Sequence, residues 1–350
     1  LFESGSYPLP NKYGDFDFSK FKQCEYSSSS NTFGSLYWQD INLLSGWVNS
    51  QLNEMKSLFP KANLYFLVPP ALFKEKSFNF DLDKRITIIN NHHNLGEEKN
   101  LNYLLSLCKT PWFTWLADDD FLHPHFLSSK INYLEQNINQ NIIAIYSNFK
   151  KVREYNVNIF KEKINNNFVN YEKANFHKFF LQRKINCIGV YGLINTNSLR
   201  KINGIKKLGN SHGPFSDILV PLVLSKFGKI AWSPDCLCFF RTHIDSLSES
   251  NNYDAFYSAK IDFINEYLVQ FKDNIENNDI KRNLFNFNIW FINSIFEILK
   301  RDKTKNIYDK IKLILNLKKN IFYQDISSIM ILRIFLYILK LIIVLLLKNK

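Results

Sequence analysis

A short aromatic run in the middle of the chain ends abruptly on three consecutive aspartates. Residues 111–116 begin with proline and are rich in tryptophan and phenylalanine, which predicts a buried strand, and Asp118, Asp119 and Asp120 follow. Adjacent carboxylates repel one another and lose hydration on burial unless a cation lies among them. Mg²⁺ or Mn²⁺ takes oxygen ligands and leaves positions open for phosphate oxygens. The run therefore predicts a metal site at the carboxyl end of a strand, where open α/β sheets bind ligands. The alternative, an acidic cap on the helix after Pro124, accounts for one aspartate only.

Predicted strands and helices alternate through the first two thirds of the 350 residues. Hydrophobic periodicity predicts strands at 21–26, 63–68, 86–89, 111–116, 142–146, 187–194, 229–232 and 236–240, and helices at 38–59, 97–108, 126–137, 176–182 and 217–227. Such alternation is typical of a Rossmann-like α/β fold with a mostly parallel sheet flanked by helices. Beyond residue 252 the pattern is helical. We expect an α/β domain over 1–250, a helical C-terminal region over 251–325 and a terminal helix over 326–350.

The charge balance of the chain is basic and its cysteines form no motif. The formal net charge is +12, which favours nucleic acid, anionic lipid or phosphorylated substrates as partners. The sequence contains no RNA-binding signature, zinc-finger spacing or glycine-rich phosphate loop, so we expect no nucleic acid partner. The five cysteines fit no zinc or redox spacing, and reduced thiols in a cytosolic setting are the plain interpretation.

The most apolar stretch lies at the end of the chain, over residues 326–347. It is long enough to span a bilayer, but Arg333 and Lys340 fall inside it, and each opposes insertion by about 2.5–3.5 kcal/mol near the bilayer centre. With Tyr337 and Lys348, these two residues share one helical stripe. The pattern favours an amphipathic helix on the membrane surface, with its basic edge toward anionic lipid. Packing on the protein body and a true span are the alternatives.

Four short segments follow one another along the chain: Asn94-Leu-Gly-Glu-Glu-Lys-Asn100, Leu116-Ala-Asp-Asp-Asp-Phe-Leu-His-Pro124, Gly204 with Ser216-Asp217-Ile-Leu-Val220, and Phe239-Phe-Arg-Thr-His243 with Ser246. In this order they resemble the motifs N-x-G…(R/K)-N, L-D-x-D-D-x-x-x-P, G-x-F…E-D-x-x-L and Y-R-x-H…S of glycosyltransferase family 2. The resemblance covers about residues 20–250 and implies the GT-A fold of that family.

The resemblance also implies an activity: transfer of a sugar, hexosyl or N-acetylhexosaminyl, from a nucleotide-sugar donor. A UDP-sugar is the expected donor, and the expected acceptor is a bacterial surface glycan (lipopolysaccharide or capsule) or a lipid-linked glycan. Members of the family are usually inverting. Their divalent metal, Mn²⁺ or Mg²⁺, stabilises the charge that grows on the diphosphate as the glycosidic bond breaks. Such an enzyme is expected in the cytoplasm, peripheral on the inner face of the cell membrane.

Residue roles follow from the same motifs. Asp217 matches the catalytic base, with an N-cap on the following helix as its alternative role. The metal ligands implied are Asp118, Asp119, Asp120 and His243. The donor-binding residues implied are Asp118, Asp119, Lys99, Asn100, Gly96 and Arg241. Two positions depart from the family pattern: Ala117 replaces the first aspartate of the metal motif, and Ser216 replaces the glutamate before the base.

Two other functions remain open from the sequence. A sugar nucleotidyltransferase uses similar carboxylate and metal chemistry, but it normally has a glycine-rich basic loop near its N-terminus. A membrane-docked protein that binds a sugar nucleotide without transferring the sugar is the non-enzymatic alternative.

Overall fold

The computed structural model describes residues 21–22, 37–38, 64–68, 86–90, 95–117, 120–152, 163–210, 215–241, 253–273, 275–302, 305–317 and 328–348. The strands are β1 (Phe21–Lys22), β2 (Tyr37–Trp38), β3 (Leu64–Val68), β4 (Ile86–Asn90), β5 (Trp112–Phe113), β6 (Phe121–Leu122), β7 (Ile142–Val152), β8 (Val169–Tyr171), β9 (Leu193–Asn195) and β10 (Lys229–Arg241). The helices are α1 (Glu97–Leu107), α2 (Phe126–Gln136), α3 (Lys173–Leu181), α4 (Thr196–Lys201), α5 (Ser216–Leu224), α6 (Tyr253–Phe271), α7 (Asn277–Arg301), α8 (Ile307–Leu317) and α9 (Ser328–Lys348). Of the helix predicted over 38–59, Trp38 lies in β2, and the other residues lie outside the described ones.

The main sheet contains six strands in the order β5-β9-β7-β10-β6, and β8 also pairs with β10. Its centre is the parallel pair β7 and β10, joined through helices α3 to α5. The other described pairs of this sheet are antiparallel, whereas β3 and β4 form a separate parallel pair. The predicted α/β class is confirmed, and the pairing among the described strands is mixed.

Two predicted strands have a largely irregular backbone. Of residues 111–116, β5 pairs only Trp112 and Phe113, and of residues 187–194, β9 includes the last two. In contrast, the strands predicted at 229–232 and 236–240 are one strand, β10. Its register shifts between Ser233 and Cys236, around Pro234, which has no N–H to donate. Apolar periodicity indicates which residues are buried. Whether their backbone forms a regular strand depends on a neighbouring strand with which it can pair.

The C-terminal helices share one hydrophobic core with the sheet, in which the rings of Phe263 on α6 and Phe287 on α7 stack with centroids 3.8 Å apart. The helical region predicted after residue 252 is confirmed. The terminal helix α9 buries Ile334, Ile338 and Leu341 against this core. The division into three domains stays a prediction.

The opposite face of α9 is exposed. It presents Leu336, Leu339 and Ile343 beside the basic residues Arg333 and Lys340. Of the described helices, none combines the length and the apolar character needed to cross a bilayer.

Candidate functional site

The aromatic run before the aspartates is buried in part: Phe113 and Trp115 are buried, Trp112 is half-buried and Leu116 is exposed. Phe113 and Trp115 pack edge to face with ring centroids 5.0 Å apart. The indole Nε1–H of Trp115 donates to the backbone oxygen of Leu101 in α1, at 3.1 Å. These contacts hold the segment that leads to Asp120 against α1. Asp118 and Asp119 lie outside the described residues.

Asp120 is a buried carboxylate, 6 % exposed, with a defined partner. The phenol O–H of Tyr191 donates to its Oδ2. The same phenol oxygen accepts the backbone N–H of Ala117 at 3.3 Å, and the N–H of Asp120 reaches the oxygen of Ala117 at 3.4 Å. Tyr191 therefore bridges both ends of the turn that carries the aspartates.

Strand β10 ends beside Asp120. Phe239 pairs with Phe121 in antiparallel register, and the N–H of His123 donates to the oxygen of Leu237 at 2.9 Å. The register brings the backbone of Arg241, the last residue of β10, to the same sheet edge as Asp120. The side chain of Arg241 and the whole of His243 lie outside the described residues.

Four residues are predicted to bind a metal at this edge, and the structure describes one of them, Asp120. Asp120 offers a carboxylate of the type that Mg²⁺ and Mn²⁺ prefer, and Tyr191 orients it. Among the described residues there is no group of three or more His, Cys, Asp or Glu side chains that could hold a metal ion. The predicted partners Asp118, Asp119 and His243 are not among those residues, so the metal site stays a prediction.

Asp217 lies in the first turn of α5 and is not its N-cap. The N-cap position is taken by Phe215, whose φ of 71° is left-handed. Burial raises the pKa of the Asp217 carboxyl, whereas backbone N–H donors of Ile218 and of Asp217 itself, and then the charge of Arg183, lower it. The carboxylate is thus held partly desolvated, which suits a proton acceptor.

One segment, residues 187–192, touches both described carboxylate positions. Tyr191 bonds Asp120, and a Cβ at Gly189 would lie 1.7 Å from the backbone oxygen of Asp217. Tyr146 anchors the segment, because its O–H donates to the oxygen of Gly189 at 3.1 Å. One segment therefore contacts both the side chain at the predicted metal-ligand position and the backbone at the predicted base position.

The predicted donor-binding residues Gly96, Lys99 and Asn100 lie at the start of α1. Gly96 has a φ of 80°, and its oxygen accepts the N–H of Asn100 at 3.1 Å. Lys99 is exposed. The described link from this helix toward the site is the hydrogen bond between Leu101 and Trp115. Donor contact by these three residues stays a prediction.

A buried lysine lies behind the sheet edge. Lys130 is 0 % exposed, and its Nζ donates to Ser147 Oγ at 3.1 Å and lies 3.2 Å from the centroid of the Phe126 ring. Burial lowers its pKa to about 7, against the opposing effects of Cys238 and Cys187. Ser147 also contacts Cys238 Sγ at 3.6 Å. A lysine whose pKa lies near neutrality thus lies beneath the sheet that presents Asp120.

Sequence reasoning missed Tyr191 and Arg183. Neither belongs to a motif, and each reaches the site through a contact that is distant in sequence: Tyr191 with Asp120, and Arg183 with Trp290 in α7. The one local signal was the pair of glycines flanking Tyr191, Gly189 and Gly192, which marks a close approach of backbone.

The sheet edge carries the buried carboxylate Asp120, and Asp217 lies at a helix start. This arrangement is compatible with an α/β domain that binds ligands at the ends of its strands. Residues 73–208 match the sequence model of Glycosyl transferase family 2. The chain therefore contains a glycosyltransferase family 2 domain, and the predicted family and enzyme class are confirmed. The matched residues include the aspartate cluster and end before Asp217.

Two further proteins are similar to this chain. An uncharacterized glycosyltransferase of Haemophilus influenzae is 26 % identical over 239 residues, which cover 66 % of this chain and 68 % of that protein. The crystal structure of S. aureus TarS 1–349 superposes with a TM-score of 0.41 and 13 % sequence identity. That match covers 68 % of this chain and 63 % of the solved chain, so this protein spans less than two thirds of it.

Proposed function

We propose that this chain is a metal-dependent, inverting glycosyltransferase that moves a sugar from a nucleotide-sugar donor to a surface-glycan or lipid-linked acceptor. The observation that carries the proposal is the segment 187–192. In a chain with a family 2 domain, it contacts Asp120 through Tyr191 and the backbone of Asp217 through Gly189. Donor activation and acceptor deprotonation must occur in one site, and this segment contacts both corresponding residues.

On the donor side, Asp120 would hold Mn²⁺ or Mg²⁺ together with Asp118, Asp119 and His243. When bound, the ion supplies positive charge to the diphosphate leaving group. Tyr191 keeps the Asp120 carboxylate aimed at one position, so its ligand geometry is set before the donor arrives. Arg241, Lys99, Asn100 and Gly96 are proposed to contact the donor, with a UDP-sugar as the first candidate.

On the acceptor side, Asp217 would take the proton from the acceptor hydroxyl as that oxygen attacks the anomeric carbon. Burial raises the pKa of Asp217 and so strengthens it as a base, whereas its backbone N–H donors and Arg183 act in the opposite direction on that pKa. A single in-line displacement inverts the anomeric centre and requires no covalent intermediate.

The site of action is proposed to be the cytoplasmic face of the cell membrane, with α9 lying on the lipid surface. Its exposed face carries Leu336, Leu339 and Ile343, with Arg333 and Lys340 beside them. Apolar side chains that enter the interface and basic residues that meet anionic headgroups are the two attractions that hold such helices.

A thermal-shift screen of UDP-, GDP-, CMP- and dTDP-sugars with and without Mn²⁺ tests the proposal. A ligand that binds only the folded state stabilises it by about 2.7 kcal/mol at a hundred times its Kd. We expect one donor class to raise the melting temperature, and to do so only with Mn²⁺, and we expect the Asp120→Asn variant to lose that effect. Stabilisation by nucleoside triphosphates with release of pyrophosphate would instead identify a nucleotidyltransferase. Binding without transfer of sugar to any acceptor would identify a binding protein.

A further inference from the structure

Arg183 occupies a position that favours glycine. It follows α3, its N–H donates to the oxygen of Phe180 at 2.9 Å, and its φ is 62°. Helices commonly end with such a left-handed residue, and glycine or asparagine is preferred there because a Cβ is disfavoured. An arginine at this position gives up local stability. Side chains held in such conformations cluster at binding sites.

The guanidinium of Arg183 is held in place by an aromatic ring of the C-terminal region. Its Cζ lies 4.1 Å from the centroid of the Trp290 ring on α7, and Phe180 supports the same ring edge to face at 5.8 Å. Nη2 of Arg183 also donates to Asn186 Oδ1 at 3.5 Å. Stacking occupies the face of a guanidinium and leaves its N–H edge directed outward. The residue is nevertheless exposed, so this edge is accessible.

The same helix α7 also supports the start of α5, where Asp217 lies. Phe287 and Phe291 pack edge to face against Phe215, with ring centroids 5.3 and 6.2 Å away. Asp217 follows Phe215 by two residues, and Arg183 is the charged side chain that acts on it. Consecutive turns of α7 therefore support both the guanidinium and the start of the helix that carries Asp217.

We propose that Arg183, held on Trp290 beside Asp217, binds an anionic oxygen group of the acceptor, a phosphate or a carboxylate. The assignment of the ligand as an acceptor rests on the proposed function, because an acceptor hydroxyl must reach Asp217. The anionic chemistry follows from the guanidinium, whose fork of donors matches carboxylate and phosphate geometry. In this arrangement the C-terminal helical region helps to select the acceptor, since it provides Trp290.

Anion binding is tested first without any sugar transfer. The full chain is titrated with inorganic phosphate, glucuronate or glucose at constant ionic strength, while tryptophan fluorescence is recorded. We expect a saturable change, with a Kd of roughly millimolar, for phosphate or glucuronate and none for glucose. Arg183→Gln should abolish this fluorescence change. The chain has six tryptophans, and Trp290→Phe should remove the part of the change that comes from Trp290. Lys184→Gln, which removes a neighbouring exposed charge, is the matched control and should behave as wild type.

The role in catalysis is tested with three acceptors that differ only in charge: an alkyl glycoside, its 6-phosphate and the corresponding alkyl uronide. Arg183→Gln should raise KM for one charged acceptor by about 10- to 100-fold, which is the effect of losing a hydrogen bond to a charged group. KM for the neutral acceptor should not change. Whether the phosphate or the uronide shows this loss identifies the source of the anion.

Three results would overturn the inference. They are saturable anion binding that persists in Arg183→Gln, no saturable binding by the wild-type chain, or an equal loss toward neutral and charged acceptors. A fourth such result is a fall in kcat with unchanged KM toward every charged acceptor, because Arg183 would then act on Asp217 alone and not on the acceptor. Because the titration needs no donor, its result stands even if no nucleotide-sugar binds.

Discussion

Two regions of this protein bury polar side chains, and they differ in where the hydrogen bonds lead. At the hub around His177, between α3, α5 and α6, the bonds close on one another: Nδ1 pairs with the Tyr267 O–H at 2.8 Å, and Nε2 with Ser225 Oγ at 2.8 Å and the Leu222 oxygen at 3.2 Å. Asn283 of α7 also donates to the Tyr267 oxygen, at 3.0 Å. A network that closes on itself fixes how helices pack.

Around Asp120 and Asp217, by contrast, hydrogen bonds from neighbouring protein groups orient each carboxylate, and these bonds do not close on one another. Tyr191 and backbone N–H groups orient the two carboxylates, and the charged group acting on Asp217, Arg183, is exposed. The difference teaches that burial alone does not identify a functional polar group. Substitutions at the edge should impair activity more than folding, and substitutions at the hub should do the reverse.

The largest effect is expected from Asp217→Asn. Loss of a general base lowers the rate by about 10²- to 10⁴-fold, and donor binding should remain nearly intact because the amide keeps the shape of the side chain. Steady-state kcat and donor thermal shift measure the two quantities. Asp254→Asn, another acidic residue in the first turn of a helix, is the control. Turnover that survives in Asp217→Asn would remove this residue from the role of base.

The side chains of the hub should make the stability of the folded protein depend on pH. Burial lowers the pKa of His177 to about 3, against about 6.5 in an unfolded chain. Above pH 6.5 the ring is neutral in both states. As the pH falls below 6.5, the unfolded state takes up a proton that the folded state does not, so stability declines until about pH 3. Between pH 7 and pH 5 this group accounts for a loss of about 2 kcal/mol.

Urea unfolding of the wild type and His177→Gln at pH 7, 6 and 5 measures this loss. The variant lacks the titration, so the stability difference between the two proteins should shrink by about 2 kcal/mol over this range. A difference that stays constant with pH would show that His177 does not titrate in this way.

A smaller effect is expected from Tyr191→Phe, which removes the bridge between Asp120 and Ala117. The ring still fills its place, but the carboxylate loses the donor that orients it, which is worth about 1–2 kcal/mol or roughly tenfold. We expect about tenfold weaker Mn²⁺-dependent donor binding with little change in melting temperature. Tyr103→Phe, an exposed tyrosine, is the control. Equal donor affinity in both variants would mean that Tyr191 serves packing only.

The smallest effect concerns the exposed face of α9. A lysine near an anionic membrane surface contributes about 1 kcal/mol, so Lys340→Gln should weaken binding to phosphatidylglycerol vesicles roughly fivefold. Binding to phosphatidylcholine vesicles should not change. Sedimentation with vesicles measures both, with Lys272→Gln as the control for an exposed charge elsewhere. Equal binding to anionic and neutral vesicles would contradict the proposed orientation of this helix.

Much of the fold was accessible from the sequence because the relevant signals are local. The helices α1 and α2 begin and end within a residue or two of the predicted bounds, since their apolar spacing repeats at each turn. The irregular segment 187–192 could not be predicted in the same way. It has the apolar composition of a strand, and its bonds to Asp120 and contact with Asp217 involve residues far along the chain.

By itself, the sequence determined the α/β class, the helical C-terminal region and the identity of Asp120 and Asp217 as site candidates. Each of these depends on periodicity or on a short motif, which neighbouring residues carry. Only the tertiary structure decided that Tyr191 orients Asp120 and that Trp290, 107 positions after Arg183, supports its guanidinium. Stacking and hydrogen bonding act between atoms that meet in space, so no pattern along the chain records them.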